Sequence, residues 1–193
     1  MKKRWMVVIG CVLLVALAVV LADPIGMTVT KRHSPFATAG GLRGDLALAV
    51  EYCRPNMKGR EIFGGLVPYG EVWRTGANEA TLFRTNKRID FGGEIVEAGT
   101  YSLFTIPGEE EWTFVLNRVV EQWGAYDYDA TQDVVRVKAK SAKREGALEQ
   151  LTISFEEGDA SVHMVLAWEK TSVTLSIREA SDDALVEVDD RGE

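Results

Sequence analysis

The sequence predicts an all-β fold, an antiparallel β-sandwich or jelly-roll-like domain preceded by a hydrophobic N-terminal helix. Short segments in which apolar and polar residues alternate recur along the chain, and turn residues such as Gly and Pro separate them. No later segment carries a convincing amphipathic helical period, whereas the chain opens on a long apolar run. With 193 residues, 46% of them hydrophobic, the chain is long enough for one globular domain with its own core.

The first element is a targeting or membrane segment. Lys2, Lys3 and Arg4 precede an uncharged apolar run from Trp5 to Ala22. Eighteen such residues suffice to cross a hydrocarbon layer of about 30 Å, and the basic flank favours the cytoplasmic side. We therefore expect a signal anchor or a cleaved signal peptide over residues 1–22. The remaining chain would lie in the cell envelope, either anchored in the inner membrane and facing the periplasm or outside, or secreted.

The strands follow a segment without clear periodicity. Residues 23–44 are rich in Pro, Gly, Ser and Thr and read as a linker entering the domain, with the linker proper over residues 23–34 and the domain over residues 35–178. The predicted strands span residues 46–52, 81–85, 89–91, 94–96, 100–106, 112–117, 134–140, 148–155, 162–169 and 172–177. Gly92-Gly93 predicts a tight hairpin turn, and Lys170-Thr171 predicts a second hairpin between the last two strands.

Charge is concentrated at the two ends of the chain. Of the formal net charge of -7, the stretch over residues 179–193 alone holds seven acidic side chains and one arginine, and it is predicted to be a disordered acidic tail. The body is only mildly acidic and has no basic stripe of the kind that phosphate backbones require, so we expect no nucleic-acid partner. Arg136, Lys138 and Lys140 share one face of a predicted strand, and that face is expected to meet solvent.

The usual catalytic and metal-binding motifs are missing from the sequence. The two histidines, His33 and His163, are far apart along the chain, so no metal site and no cofactor are predicted. Cys53 is expected to be a buried packing residue, and Cys11 an ordinary residue of the apolar run, with a lipoprotein-processing box as the alternative. Neither a G-x-S-x-G elbow nor a phosphate-binding glycine loop occurs, so no catalytic residue can be assigned.

The segment that invites a functional interpretation is YCRPNMKGREIFGGLVPYGEVWRTGANEAT, residues 52–81. It joins two predicted strands and combines cationic, aromatic and amide side chains with many glycines, a combination suited to holding a sugar or carboxylate. The same residues would also stabilise an irregular loop, because Arg can pair with Glu and Asn can bond free backbone groups. The candidate ligand-binding residues are Arg74, Asn78, Trp73, Glu79, Lys58, Arg60, Trp123 and Tyr126.

Three functions are compatible with this segment. The first is a non-enzymatic envelope module that binds a small polar ligand or glycan. The second is a hydrolase or lyase that uses Glu71 or Glu79 together with Arg74. The third is a purely structural or protein-interaction domain.

The motifs also carry a family resemblance. RPNMKGREIFGGLVPYGEVWRTGANEAT, followed by GGEIVEAGTYSLFTIPGEEEWTFVLN, EQWGAYDY and LAWEKTSVTLSI, resembles a bacterial family known as domain of unknown function 2911, over about residues 34–177. The resemblance implies an exported bacterial protein without an established activity. It supplies no catalytic residues. The resemblance also implies a histidine in some relatives at the position of Phe36, so this chain would lack that side chain if the position served a metal site.

Overall fold

The computed structural model describes residues 33–180 and confirms an all-β, antiparallel fold. The strands are β1 (Phe36–Arg43), β2 (Leu46–Cys53), β3 (Thr81–Thr85), β4 (Ile89–Phe91), β5 (Glu94–Val96), β6 (Gly99–Ile106), β7 (Glu111–Asn117), β8 (Asp133–Glu157) and β9 (Val162–Glu179). A short 3₁₀ turn over Ala130–Gln132 precedes β8. Within the described range no helix is long and apolar enough to cross a membrane. The predicted segment 1–22 lies outside that range, as do residues 181–193 of the predicted tail.

The nine strands follow the order β1-β2-β3-β6-β7-β8-β9-β4-β5, and every neighbouring pair is antiparallel. The alternation seen in the sequence sets which face is buried, because successive side chains of a strand point to opposite sides. In β8, Val135 and Val137 are buried whereas Arg136, Lys138 and Lys140 are exposed, as predicted. Gly92-Gly93 forms the predicted hairpin turn between β4 and β5.

The two longest strands differ from the prediction. The segments 134–140 and 148–155 are parts of the single strand β8, which pairs with β7 over its first residues and with β9 from Ser141 onward. The predicted hairpin at Lys170-Thr171 is wrong, because β9 continues through these residues. Glu169 adopts a φ of 53° there and lies opposite Leu148, where the pairing register shifts. Such a bulge interrupts the alternation of a strand without ending it, so the sequence resembles a turn.

The beginning of the domain also differs from the linker interpretation. Residues Phe36–Arg43 form β1, which pairs with β2 along its whole length. Glycines make this segment look like a linker, but Gly41 lies against the ring of Phe155, and a Cβ at Gly41 would come within 2.8 Å of that ring. The glycine thus permits a close approach between β1 and β8 rather than flexibility.

The long segment between β2 and β3 is irregular, as predicted, and it is tied to β8. The backbone nitrogen of Met57 donates to the carbonyl of Glu149 at 2.6 Å, and Leu151 donates to the carbonyl of Pro55 at 3.0 Å. Arg54 adds a side-chain bond from Nε to the carbonyl of Leu151 at 2.9 Å. These bonds satisfy backbone groups that an irregular segment would otherwise leave unpaired.

Candidate functional site

The WRTGAN motif, residues 73–78, is fixed in place by β6. The backbone nitrogen of Trp73 donates to the carbonyl of Thr105 at 2.8 Å, and Thr105 donates back at 2.9 Å. Thr75 is fully buried, and its hydroxyl lies 3.1 Å from that of Thr105. Thr75 and Asn78 have φ values of 54° and 62°, a region that non-glycine residues rarely adopt. The surrounding hydrogen bonds therefore hold the motif in a conformation its sequence alone would not favour.

Trp73 is partly buried and packs against the core. Its indole ring stacks on Trp168, with ring centroids 6.0 Å apart and an interplanar angle of 18°. Trp112 and Phe63 contact it edge-on, at centroid distances of 6.3 and 6.0 Å. The indole nitrogen donates to the carbonyl of Gly76 at 3.2 Å, so the polar end of the ring is also satisfied inside the motif. Trp73 thus anchors the loop from which its neighbours project.

Arg74 reaches toward a second segment, the 118–129 loop, which we define as the residues joining β7 to the 3₁₀ turn. The side chain is half-buried, and its terminal nitrogen Nη1 lies 3.1 Å from the position a Cβ would take on Gly124. Nε is buried without a hydrogen-bond partner, whereas neither terminal nitrogen is among the buried unpaired atoms. Within residues 33–180 the guanidinium forms no ion pair and no hydrogen bond. The stem of Arg74 is therefore enclosed, while the end of its guanidinium stays available.

The two loops are joined by backbone pairing. Glu79 and Trp123 form an antiparallel bridge, and the nitrogen of Ala80 donates to the carbonyl of Gln122 at 3.4 Å. The antiparallel direction places Asn78 on the same side as Gly124. Asn78 Nδ2 and Gln122 Oε1 are both buried and unpaired. The junction therefore gathers polar atoms that no group of the described chain satisfies.

The outer part of the junction is aromatic. Trp123 is 46% exposed and Tyr126 is 81% exposed, which is unusual for side chains of this size. Gly124 lies between them with a φ of 69°, and a Cβ there would come within 3.2 Å of the Tyr126 ring as well as 3.1 Å from Arg74. Gly124 therefore brings the guanidinium and the tyrosine ring to the same place.

A partly buried polar network holds the far end of the 118–129 loop. Tyr128 donates its hydroxyl hydrogen to Asp133 at 2.6 Å, and Arg136 donates to the same carboxylate at 2.7 Å. Asn117 donates to the other oxygen of Asp133 at 2.8 Å and to the carbonyl of Asp129 at 2.9 Å. Burial, together with the hydrogen bond to Asp133 and the charge of that carboxylate, raises the pKa of Tyr128 to about 12. The loop is thus a fixed element rather than a loose connection.

The comparisons with known proteins agree with the motif resemblance. The model of a family described as protein of unknown function (DUF2911) matches residues 34–177, which is more than half of the chain. The chain belongs to the DUF2911 family. No curated protein and no solved structure matches it significantly. The family's description names no activity, so the DUF2911 assignment by itself indicates no ligand.

In this DUF2911 member the predicted site residues fall into two groups. Lys58 and Arg60 are exposed and belong to the part of the loop tied to β8, where Arg60 donates to the carbonyls of Met57 and Asn56. Arg74, Asn78, Glu79, Trp123 and Tyr126 belong to the junction with the 118–129 loop. Within residues 33–180 no hydrogen bond or ion pair joins the two groups. The site is therefore best sought at the junction.

The carboxylates named for the enzymatic alternative occupy different surroundings. Glu71 is exposed on the turn before the motif, whereas Glu79 is half-buried and accepts a hydrogen bond from the Cys53 thiol at 3.5 Å. Cys53 is buried and forms no disulfide, in agreement with the packing role predicted for it. No group of three or more His, Cys, Asp and Glu side chains within the described residues is arranged to hold a metal ion. Catalysis by Glu71 or Glu79 stays a prediction.

The candidate site residues chosen from the sequence include Trp123 and Tyr126 but not Gln122 and Gly124, although both belong to the family motif. Their signal is EQWGAYDY, where a glycine sits between exposed aromatic residues outside any strand pattern. A glycine in such a place often marks a positive φ, and here it has one. The pairing of this segment with WRTGAN bridges more than forty residues and could not be read from either segment alone.

Proposed function

We propose that this protein is a non-enzymatic binding module of the cell envelope that holds a small polar ligand where WRTGAN meets the 118–129 loop. The envelope location rests on the apolar N-terminal segment of the sequence. We further propose that the nine strands pack as a β-sandwich. The transfer of β8 from β7 to β9 and the contact between Gly41 and Phe155 support that packing.

One observation carries the binding proposal. In the described part of the chain, six buried side-chain nitrogen or oxygen atoms have no hydrogen-bond partner, and three of these atoms lie on the two joined loops. They are Arg74 Nε, Asn78 Nδ2 and Gln122 Oε1. An unsatisfied buried polar group costs about 1–3 kcal/mol, and native proteins keep few of them. A concentration of such groups beside an available guanidinium favours a ligand site over a purely structural corner.

The chemical character of the junction fits a binding role. Ligand sites combine flat apolar side chains with a small number of fixed polar groups that set orientation. Trp123 and Tyr126 supply exposed aromatic surface, and Arg74 supplies a permanent positive charge. Trp73 and the Tyr128 network hold the two loops in position, so little conformational entropy would be lost on binding.

The test is a thermal-stability screen of the full chain against neutral, amino and acidic monosaccharides, dicarboxylates and amino acids. A ligand present at a hundred times its Kd stabilises by about 2.7 kcal/mol, which raises the Tm of a chain this size by about 5–10 °C. We expect at least one class to raise the Tm of the wild type but not that of Arg74→Gln. Arg84→Gln is the matched control, since Arg84 of β3 forms an exposed ion pair with Glu51 of β2. The proposal fails if no class stabilises the chain, or if Arg74→Gln responds like the control.

A further inference from the structure

We infer that the ligand of this site is a saccharide bearing a single carboxylate, held with its acid group on Arg74 and its ring beside Trp123 and Tyr126. The inference rests on the proposed binding function and adds the chemical class of the ligand. Four features of the junction lead to it: an unpaired cation, an acidic surround, an unpaired donor and acceptor, and exposed aromatic faces.

The unpaired guanidinium of Arg74 favours an anionic group on the ligand. Arg74 is half-buried and finds no carboxylate partner within residues 33–180. Because Nε is enclosed, an incoming group can reach only the two terminal nitrogens. These two nitrogens lie side by side in the guanidinium plane and match the two oxygens of a carboxylate. The ligand would then supply the counter-charge that the protein omits.

The surroundings favour one negative charge over several. The 118–129 loop carries Arg118 against Glu121, Asp127 and Asp129, an excess of two negative charges. Glu79 adds a further carboxylate on the facing segment. A phosphate dianion or a polyanion would be repelled by this field, while a single carboxylate meets one guanidinium at little cost.

The unpaired amide atoms of Asn78 and Gln122 favour a ligand with hydroxyl groups. Asn78 Nδ2 can only donate a hydrogen bond, and Gln122 Oε1 can only accept one. Both atoms are closed to solvent in this structure, so the two amide side chains would have to turn outward to meet a ligand. A hydroxyl group suits either atom, because it can both donate and accept a hydrogen bond. Ligands without hydroxyls, such as simple fatty acids, would leave these buried atoms unpaired.

The exposed aromatic side chains favour a ligand whose ring has an apolar face. Trp123 and Tyr126 flank Gly124, and the Tyr126 ring approaches Gly124 as closely as the Arg74 guanidinium does. The Tyr126 ring and the Arg74 guanidinium are therefore neighbours, both lying against Gly124. A pyranose offers an apolar C–H face for an aromatic ring and hydroxyls at its edge, and a uronic acid adds the carboxylate. That combination matches all four features.

The experiment measures binding of methyl glucuronide and methyl glucoside to the full chain by titration calorimetry. The two probes differ only at C6, which is a carboxylate in the glucuronide and a hydroxymethyl group in the glucoside. A hydrogen-bonded ion pair gives about a tenfold to hundredfold preference, which we expect the wild type to show for the glucuronide. Arg74→Gln should remove the preference while keeping the affinity for the glucoside. Tyr126→Ala should weaken both probes by a similar factor.

A glycine pair tests the geometry separately. Gly124→Ala and Gly44→Ala place a methyl group at φ values of 69° and 56°, so the two substitutions carry comparable backbone strain. Only the methyl group at Gly124 crowds Arg74 and Tyr126, because nothing lies within 4 Å of Gly44. Gly124→Ala should therefore lower the affinity for glucuronide at least tenfold, whereas Gly44→Ala should leave it unchanged.

The outcomes separate this inference from the proposed function. Equal affinity of the wild type for the two glycosides would overturn the carboxylate assignment and leave a polar-ligand site standing. Acetate or inorganic phosphate binding as tightly as the glucuronide would overturn the saccharide assignment. Failure of every probe, including those of the stability screen, would overturn both.

Discussion

The hydroxyl group of Tyr52, on β2, is hydrogen-bonded to the backbone of β8. It accepts a hydrogen bond from the backbone nitrogen of Ile153 at 2.8 Å and donates one to the carbonyl of the same residue at 3.3 Å. Tyr52 is buried, and burial raises the pKa of its hydroxyl. Tyr52→Phe removes both bonds while keeping the ring that packs in the core.

The expected loss in the free energy of unfolding depends on the backbone groups of Ile153 that remain without a partner. A hydrogen bond that is merely lost costs about 0.5–1.5 kcal/mol, whereas a buried group left without a partner costs about 1–3 kcal/mol. Tyr52→Phe leaves the nitrogen and the carbonyl of Ile153 without this partner in the interior, and the bond at 3.3 Å is the weaker of the two. We therefore expect a loss of about 2–4 kcal/mol in the free energy of unfolding, or about 5–15 °C in Tm.

Chemical denaturation and calorimetry of the full chain measure this loss. Tyr101→Phe is the matched control, because Tyr101 donates to the carbonyl of Glu97 at 2.9 Å near the surface. Water can replace that bond, so the control should lose about 1 kcal/mol or less. The chemical change is identical in the two variants, and only the surroundings of the hydroxyl differ.

A difference below about 0.5 kcal/mol between the two variants would refute the reasoning, since it would mean that water reaches Ile153 once the hydroxyl is gone. A change in the denaturant slope would point instead to an altered unfolded state.

Two further predictions concern the loops of the site. Gly76→Ala would place a Cβ 3.1 Å from the carbonyl of Cys53 and 2.9 Å from the hydroxyl of Thr81, so it should cost about 1–3 kcal/mol in thermal melts. Gly146→Ala, with nothing within 4 Å, should cost less than about 1 kcal/mol, and equal losses would contradict the packing argument. Tyr128 keeps its proton to about pH 12 in the folded protein but loses it near pH 10 when unfolded, so its contribution to stability falls as pH rises through that window. Tyr128→Phe should flatten the fall of Tm between pH 10 and 12, and an unchanged slope would contradict the assignment.

The fold could be predicted from the sequence wherever local chemistry decides it. Alternation placed most strands, and Gly92-Gly93 placed the β4–β5 hairpin, because the pleat and the turn geometry act over a few residues. The errors arose where long-range contacts override local signals. Gly41 looks like part of a linker until Phe155 lies against it, and Glu169 looks like the end of a strand until Leu148 pairs with it.

For the candidate site, too, the sequence indicated the local chemistry but not the long-range contacts. The residue types of WRTGAN and EQWGAYDY indicated that charged, amide and aromatic groups were available, and the sequence alone also placed the chain in its family. The sequence could not show which of these side chains come together. Trp73 packs against the core, whereas Arg74 extends toward Gly124. Adjacent residues took opposite roles because the backbone of the motif bonds to Thr105 on one side.

The sequence by itself determined the fold class, the family and the chemical content of the loops, because these depend on residue types and short-range order. Only the tertiary structure decided that Lys58 and Arg60 lie with β8 while Arg74 and Asn78 lie with Gln122. Pairing between segments forty residues apart depends on the path of the whole chain. That pairing leaves three buried polar atoms unsatisfied at one junction, and they are the reason a ligand is proposed there.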